Sequence, residues 1–536
     1  MNAASAGSAA QTIAALWRGP VFFVGLVGAL AVWLGFPNDL INLPPLALLW
    51  PVALALLGMN AQTPSAALRA GWLLGLAGST AALYWLALPV HNIGNLPWIL
   101  ALPCAVFIAA CLSAANGVFS LAAYVLRERP PFCLAALLAL VWYLLEFFAA
   151  HLLGFPWLPL AGALAVCPVF VQGADILGAY ALGGLWVFIA LLCLFCRADK
   201  RCLALGLVGA LAVLSYGTYR LNETPFLPNP TGPESFATLF VEGNIDQNQK
   251  WVPAFQRATV DAYLNLTNNA LTACPEEKPL IVWPETALPF FFEKSLAHAS
   301  RVRELARASG CPLLFGAPGA GQRGNGELLV FNRAFLLSPE GDTIGWYDKE
   351  HLVPFGEHLP AWLHFDFLQK LLQGVGVYEQ GSSSAPLRHG ALALGMLICY
   401  EGIFPWLADA RVKDGANIFA DISNDAWFGR TPAALQHLYL TALRAIEQNR
   451  WILRGTNTGI SAVVDTRGRL TLRGEQFTAG ALFARARLVA VQSPYHTFKP
   501  WIFPSALLLF CTLLVFGRSA RVAHTFNPKT HHVAFE

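Results

Sequence analysis

Leu394-Gly-Met-Leu-Ile-Cys399 is an apolar run that closes on a thiol and passes directly into Tyr400-Glu401. Runs this short and this apolar read as buried strands. The same texture recurs at Ala237–Val241, Pro279–Trp283, Pro312–Phe315, Phe331–Leu337, Thr343–Tyr347, Ala391–Ile398, Ala416–Ala420 and Ser461–Asp465. Ser338-Pro-Glu-Gly-Asp342 lies between two such runs and Asp465-Thr-Arg-Gly468 follows another, as hairpin turns do. Helical stretches from Phe255 to Ala273 and from Pro432 to Asn449 lie among them. Strands alternating with helices predict an α/β or α+β domain over residues 219–498.

Outside that stretch the texture changes. The 536-residue chain is 56% hydrophobic and 12% charged, with 17 Trp and 36 Phe. Ordinary soluble domains are about a quarter charged, so the deficit points to lipid. A helix needs about 20 apolar residues to cross a bilayer. Such runs lie near 15–35, 44–60, 69–89, 98–126, 134–152, 179–196, 202–218 and 499–517. This predicts a seven-span domain over 1–218, the α/β domain over 219–498, a last span at 499–517 and a tail at 518–536. The run at 44–60 is short and Pro-rich, and Pro156–Phe170 reads as a re-entrant or interfacial loop. The first run has no small-residue cleavage site and precedes further spans, which predicts an anchor.

With a cytoplasmic N-terminus, inside connections carry Arg18, Arg69, Arg127, Arg129, Arg197, Lys200, Arg201, Arg518 and Arg521. The connections 36–43, 90–97 and 154–178 carry no Lys or Arg. By the positive-inside rule both termini are cytoplasmic and 219–498 faces outward. A net charge of +3 gives no reason to expect nucleic acid as a partner. Eight of the 11 cysteines lie in apolar runs, where a thiol acts as a small hydrophobe. Cys193 and Cys196 form a C-x2-C with no second pair, so neither a metal site nor a disulfide framework is expected.

Glu285, at the end of Leu280-Ile-Val-Trp-Pro-Glu285, and Lys349, at the end of Trp346-Tyr-Asp-Lys349, stand at strand ends like Cys399. Each alone reads more readily as a surface charge or a buried thiol than as a catalytic group. Together, in this order, they resemble the Glu-Lys-Cys triad of the carbon–nitrogen hydrolase (nitrilase) superfamily. Trp283-Pro-Glu-Thr-Ala-Leu-Pro289, Lys349-Glu-His-Leu-Val-Pro-Phe-Gly-Glu357, Ile398-Cys-Tyr-Glu401, Ser423-Asn-Asp-Ala-Trp-Phe-Gly429 and Arg454-Gly-Thr-Asn-Thr-Gly-Ile460 resemble the apolipoprotein N-acyltransferase family more narrowly. That resemblance spans the chain. It implies a polytopic α-helical membrane domain of about eight spans with a nitrilase-like αββα sandwich, in a bacterial inner membrane.

It further implies a phospholipid acyl donor, a diacylglyceryl lipoprotein acceptor, a Cys399 thioester and no cofactor or metal; we expect a monomer. Glu285 is expected as general base, a role suited to a partly desolvated carboxylate, and Lys349 as oxyanion stabiliser with a backbone N–H near Tyr400. Glu357 and Glu401 are expected to support them, and Trp251 to line an acyl pocket. Glu242 departs from the family, which usually has Gln there. Phe290-Phe-Phe292 and the helical-spaced run Trp362–Tyr378 read as core or as a lid dipping into the membrane. A small-amide amidase fits the triad too, and Glu146, an acid within a span, leaves a transport path open.

Overall fold

The computed structural model describes residues 19–517 apart from 39, 93, 95, 224–231, 233, 274–276, 325, 355 and 359–377. Among the described residues, six helices are long and apolar enough to cross a membrane: Pro64–Asn92, Trp98–Leu126, Pro131–Leu153, Ala174–Arg197, Lys200–Glu223 and Pro494–Phe516. Two shorter apolar helices, Val21–Gly35 and Pro44–Met59, precede them. These eight segments fall on the eight predicted runs. Close backbone approach holds them together, as is usual where lipid removes the hydrophobic drive. A Cβ at Gly58 would lie 2.1 Å from the Ser120 carbonyl oxygen. Ser120 Oγ in turn donates to the Leu54 carbonyl at 2.9 Å.

Basic residues tie helix ends together. Arg127 donates to the Ala61 carbonyl and Arg129 to that of Leu514, both at 2.9 Å. The 156–170 segment is an extended stretch, then a helix at Leu160–Leu164 and a short turn at Pro168–Phe170. Glu146 Oε1 accepts from the Leu160 N–H and the Trp142 indole, each at 2.7 Å. This gives the intramembrane acid a structural task at a helix start.

The described residues of the α/β part form twelve strands: β1 Ser235–Glu242, β2 Leu280–Val282, β3 Leu313–Gln322, β4 Leu328–Leu337, β5 Thr343–Asp348, β6 Leu387–His389, β7 Leu392–Ile398, β8 Ile418–Ser423, β9 Ile452–Thr456, β10 Ala462–Val464, β11 Leu470–Arg473 and β12 Gly480–Arg487. They form two six-stranded sheets, β12-β1-β2-β3-β4-β5 and β11-β10-β9-β8-β7-β6. Alternation sorts the side chains. Phe240, Val282, Met396, Ile398 and Ala420 fill the space between the sheets. Leu239 and Ile281 face helices Gln256–Ala273 and Leu296–Ser309, whereas Leu397 and Phe419 face Pro405–Lys413 and Ala433–Gln448. Four layers result, helix, sheet, sheet, helix. Phe290 and Phe292 are buried among these side chains, Phe292 meeting Phe315 edge-on and Phe335 at a tilt. Of the other candidate lid, 362–377 lies outside the described residues.

Gln436 joins the two parts. Its amide donates to the Pro37 and Ala82 carbonyls at 2.9 and 3.2 Å. Its oxygen accepts from the Trp85 and Trp157 indoles at 3.1 and 2.9 Å. A buried amide with all its bonding capacity satisfied makes a specific joint.

Glu242 ends β1 in a buried position. Burial pushes its carboxyl up from 4.5 to about 7, against hydrogen bonds from Ser461 that lower it. Between those values the folded chain keeps a proton that the unfolded chain has lost, so this contribution to stability is lost as pH rises. Glu242→Gln should therefore gain on the parent between pH 4.5 and 7, by about 3 kcal/mol at the upper end. Melting curves in detergent across that range check it; a constant offset would contradict it.

Candidate active site

Three chain reversals build the site at strand ends. Beyond β2, Glu285 precedes Thr286, whose φ is 49°. The turn packs on Gly316, where a Cβ would stand 2.4 Å from the Thr286 nitrogen. Lys349 follows β5, its N–H donating to the Asn332 carbonyl at 2.9 Å. Cys399 follows β7 with φ 53°. Positive φ at non-glycine residues costs energy and collects at functional sites.

The structure brings the predicted acids and base together. Glu285, Lys349, Glu357 and Cys399 are all buried. Lys349 Nζ lies 2.9 Å from Glu357 Oε1 and 3.5 Å from Glu285 Oε1. Asn332 Nδ2 donates to the same two oxygens at 2.8 and 2.7 Å. Burial would lower the Lys349 ammonium, but the charges of Glu357, Glu285 and Cys399 outweigh it and hold it above the ordinary lysine value. Cys399 goes the other way. Burial, then the Glu285 charge, pushes its thiol well above the ordinary value, and Lys349 and Ser423 offset only part. The resting sulfur is a thiol, so nucleophilic work there needs a base to remove its proton.

Glu401 fixes the Lys-to-Cys geometry. Oε1 accepts from the Glu350 and His351 amides at 2.7 and 3.0 Å and from Tyr347 Oη at 2.8 Å. Oε2 accepts from the Ile398 amide at 2.7 Å. One carboxylate thus clamps the residue after Lys349 to the residue before Cys399. A Gln there must turn an N–H₂ toward donors. We predict that Glu401→Gln lowers kcat about 100-fold through displacement of the reacting groups. KM should stay near the parent value, and a pure KM effect would contradict the clamp.

Tyr400 donates to the Gly154 carbonyl of the membrane part. Its ring lies 6.5 Å from that of Trp157. Trp251 is half-exposed. Its neighbour Lys250, which the sequence did not single out, is the buried one. Lys250 Nζ donates to the Glu285 carbonyl at 3.3 Å, and burial lowers its ammonium to about 8. Asn332 likewise lies in no recognisable motif.

Behind Cys399 sits a further buried group. His437 Nε2 donates to the Cys399 carbonyl at 3.1 Å. Arg454 Nη2 lies 3.0 Å from both Asp425 Oδ2 and His437 Nδ1, and Arg454 Nη1 pairs with Asp421. The β8–β9 register sets Asp421 opposite Arg454. Arg454 and then His437 hold the Asp425 carboxyl well below its usual range against burial. Cys399, Asp425 and His437 have ligand-type atoms within 4.8 Å of one another. The Arg454 guanidinium already supplies a cation there.

The Cys193 sulfur of the C-x2-C lies within van der Waals reach of Gly206, as helix packing requires, and every described cysteine is free.

A family model described as "Carbon-nitrogen hydrolase" matches residues 247–494, and one described as "Apolipoprotein N-acyltransferase N-terminal domain" matches 27–192. Proteins named "Apolipoprotein N-acyltransferase" are similar along three quarters of the chain or more. The one from Geobacter metallireducens is 34% identical over 527 residues, covering 95% of this chain and 96% of the relative. That from Pseudomonas syringae pv. tomato is 32% identical, covering 92% and 98%. That from Allorhizobium ampelinum is 36% identical over 421 residues, covering 75% and 76%. With both halves present in one order and relatives above 30% identical along more than nine tenths of the chain, the chain belongs to the apolipoprotein N-acyltransferases, enzymes of the carbon–nitrogen hydrolase type embedded in a membrane.

Proposed function

We propose a ping-pong acyl transfer through a thioester on Cys399. Glu285 takes the thiol proton as the sulfur attacks the ester carbonyl of a phospholipid. Lys349 faces the oxyanion that forms, with a backbone N–H near Tyr400 as second donor. As the C–O bond breaks, the proton passes from Glu285 to the departing lysophospholipid oxygen. The α-amino group of a diacylglyceryl-modified N-terminal Cys then attacks the thioester. Its proton goes to Glu285, the C–S bond breaks, and the product is an amide with the thiol restored. Glu357 and Asn332 hold Lys349 and Glu285 in place, and Trp251 stands at the rim as part of the acyl path.

The observation that carries this reading is the burial of one ammonium between two carboxylates beside a thiol that cannot ionise unaided. The aromatic joint of Tyr400 to the membrane part supports a lipid donor over a small amide, because it seats the nucleophile against apolar rings. Lysine and arginine placement supports a periplasmic catalytic domain with cytoplasmic termini in a bacterial inner membrane. We read 1–218 and 499–517 as the membrane domain, 219–498 as the catalytic domain and 518–536 as tail. One chain supplies every proposed residue, which agrees with a monomer. Purified protein incubated with acyl-labelled phospholipid should carry label on Cys399. Adding a diacylglyceryl peptide should move that label to the peptide amine. Label released only as free fatty acid would replace transfer by hydrolysis.

A further inference from the structure

A crevice of about 410 Å³ opens between the last span Pro494–Phe516, the span Pro131–Leu153 and the helix Pro405–Lys413. One end is polar. The buried Asp409 pairs with Lys413 Nζ at 3.0 Å and with Lys499 Nζ, and His496 Nδ1 lies 3.0 Å from its other oxygen. Two ammoniums face one carboxylate there. Glu447, which also lines the crevice, is neutralised by Arg444 at 2.7 Å. One positive charge is left over, and the Lys413 side chain is 60% exposed. The other end is mainly apolar, walled by Phe147, Trp406, Ile502 and Phe503, with the His151 ring lying against Phe147 and Trp406.

The two ends are ordered along the helix axis. Phe503 is one turn past Lys499, about 6 Å deeper at the rise of an α-helix. Phe498 and Trp501 are exposed beside Lys499, as aromatic residues are at a lipid–water boundary. Tyr180 lines the back of the crevice. Its buried hydroxyl has no hydrogen-bond partner among the described residues.

We propose that this crevice binds a phospholipid as a resident lipid, separate from the acyl donor. Its phosphate sits between Lys413 and Lys499, one acyl chain runs along Phe147 and Phe503, and an ester oxygen accepts from Tyr180. The donor site lies beyond a wall of rings: Phe404 is 4.8 Å from Trp406 and 4.9 Å from Tyr400, centroid to centroid. The resident lipid fills the gap between the last span and the catalytic domain. The assignment rests on the spans lying in a bilayer and not on the chemistry at Cys399.

The test uses full-length Cys399→Ala protein, which separates this site from the thioester reading. Protein from nanodiscs of phosphatidylethanolamine and phosphatidylglycerol is washed with detergent and weighed by native mass spectrometry. One retained phospholipid per chain is expected. Lys413→Ala with Lys499→Ala should cut retention at least about ten-fold, since charge-assisted contacts are lost. Ala181→Trp fills the apolar end without touching the charges and should cut it equally. A benzoylphenylalanine at residue 502 should trap the retained lipid. Retention unchanged in either variant overturns the proposal, as does equal displacement by soluble glycerophosphate, which would mean a headgroup site only.

Discussion

Replacing Cys399 by Ala or Ser should cut acyl transfer at least about a thousand-fold and abolish the labelled adduct, while the melting temperature moves by only a few degrees. The loss follows from the proposed route. Without the sulfur there is no thioester, and a serine hydroxyl is a far weaker acid for Glu285 to ionise. The fold should survive because the change is one atom at a residue that already has a Cβ in the left-handed region, with φ 53°. Alanine meets the same backbone cost as cysteine. The contacts that hold the turn, from Glu401 to the Ile398 amide and from His437 to the Cys399 carbonyl, are untouched by the substitution. Near-normal transfer by a folded Cys399→Ala protein would remove Cys399 from the mechanism.

Lys349→Met should lose both rate and stability. Its ammonium is shared by Glu285 and Glu357, with both oxygens within 3.5 Å. Removing it leaves two buried carboxylates facing each other with Asn332 as their common donor, a loss of about 3–5 kcal/mol by analogy with broken buried pairs. The rate should fall about 100–1000-fold for want of the oxyanion partner. Adding Glu357→Gln should restore part of the stability and none of the rate, because the amide removes the repulsion without replacing the charge. Single-turnover acylation and thermal unfolding measure the two effects separately. Recovery of rate in the double variant would mean that Lys349 acts only by neutralising Glu357.

The sequence was most legible where physics is local. A bilayer demands a length of apolar chain, so the membrane helices stand out by composition alone. Glu285, Lys349 and Cys399 stand at strand ends within distinctive local words, so the candidate triad could be named before its members were seen to converge. Beside the half-exposed Trp251, Lys250 is the residue turned inward against Glu285, and nothing local in the sequence marks it. Glu401 was named, but its task was not.

What remained hidden depends on strand order, which no local window contains. Strand β12 has neither a long apolar run nor a clear turn signal; it forms because β1 has an open edge, and it pairs Ser235 with Arg487 across most of the domain. Asn332 matters only because β4 runs beside β5 and carries its side chain to Glu285 and Glu357. Arg454 meets Asp421 through the β8–β9 register and reaches Asp425 and His437 from there. Side-chain chemistry and hydrophobic length are properties of the residues themselves, and the sequence determined those. Which donor shares which carboxylate is settled by packing distant segments into one low-dielectric space, and only the tertiary structure decided that.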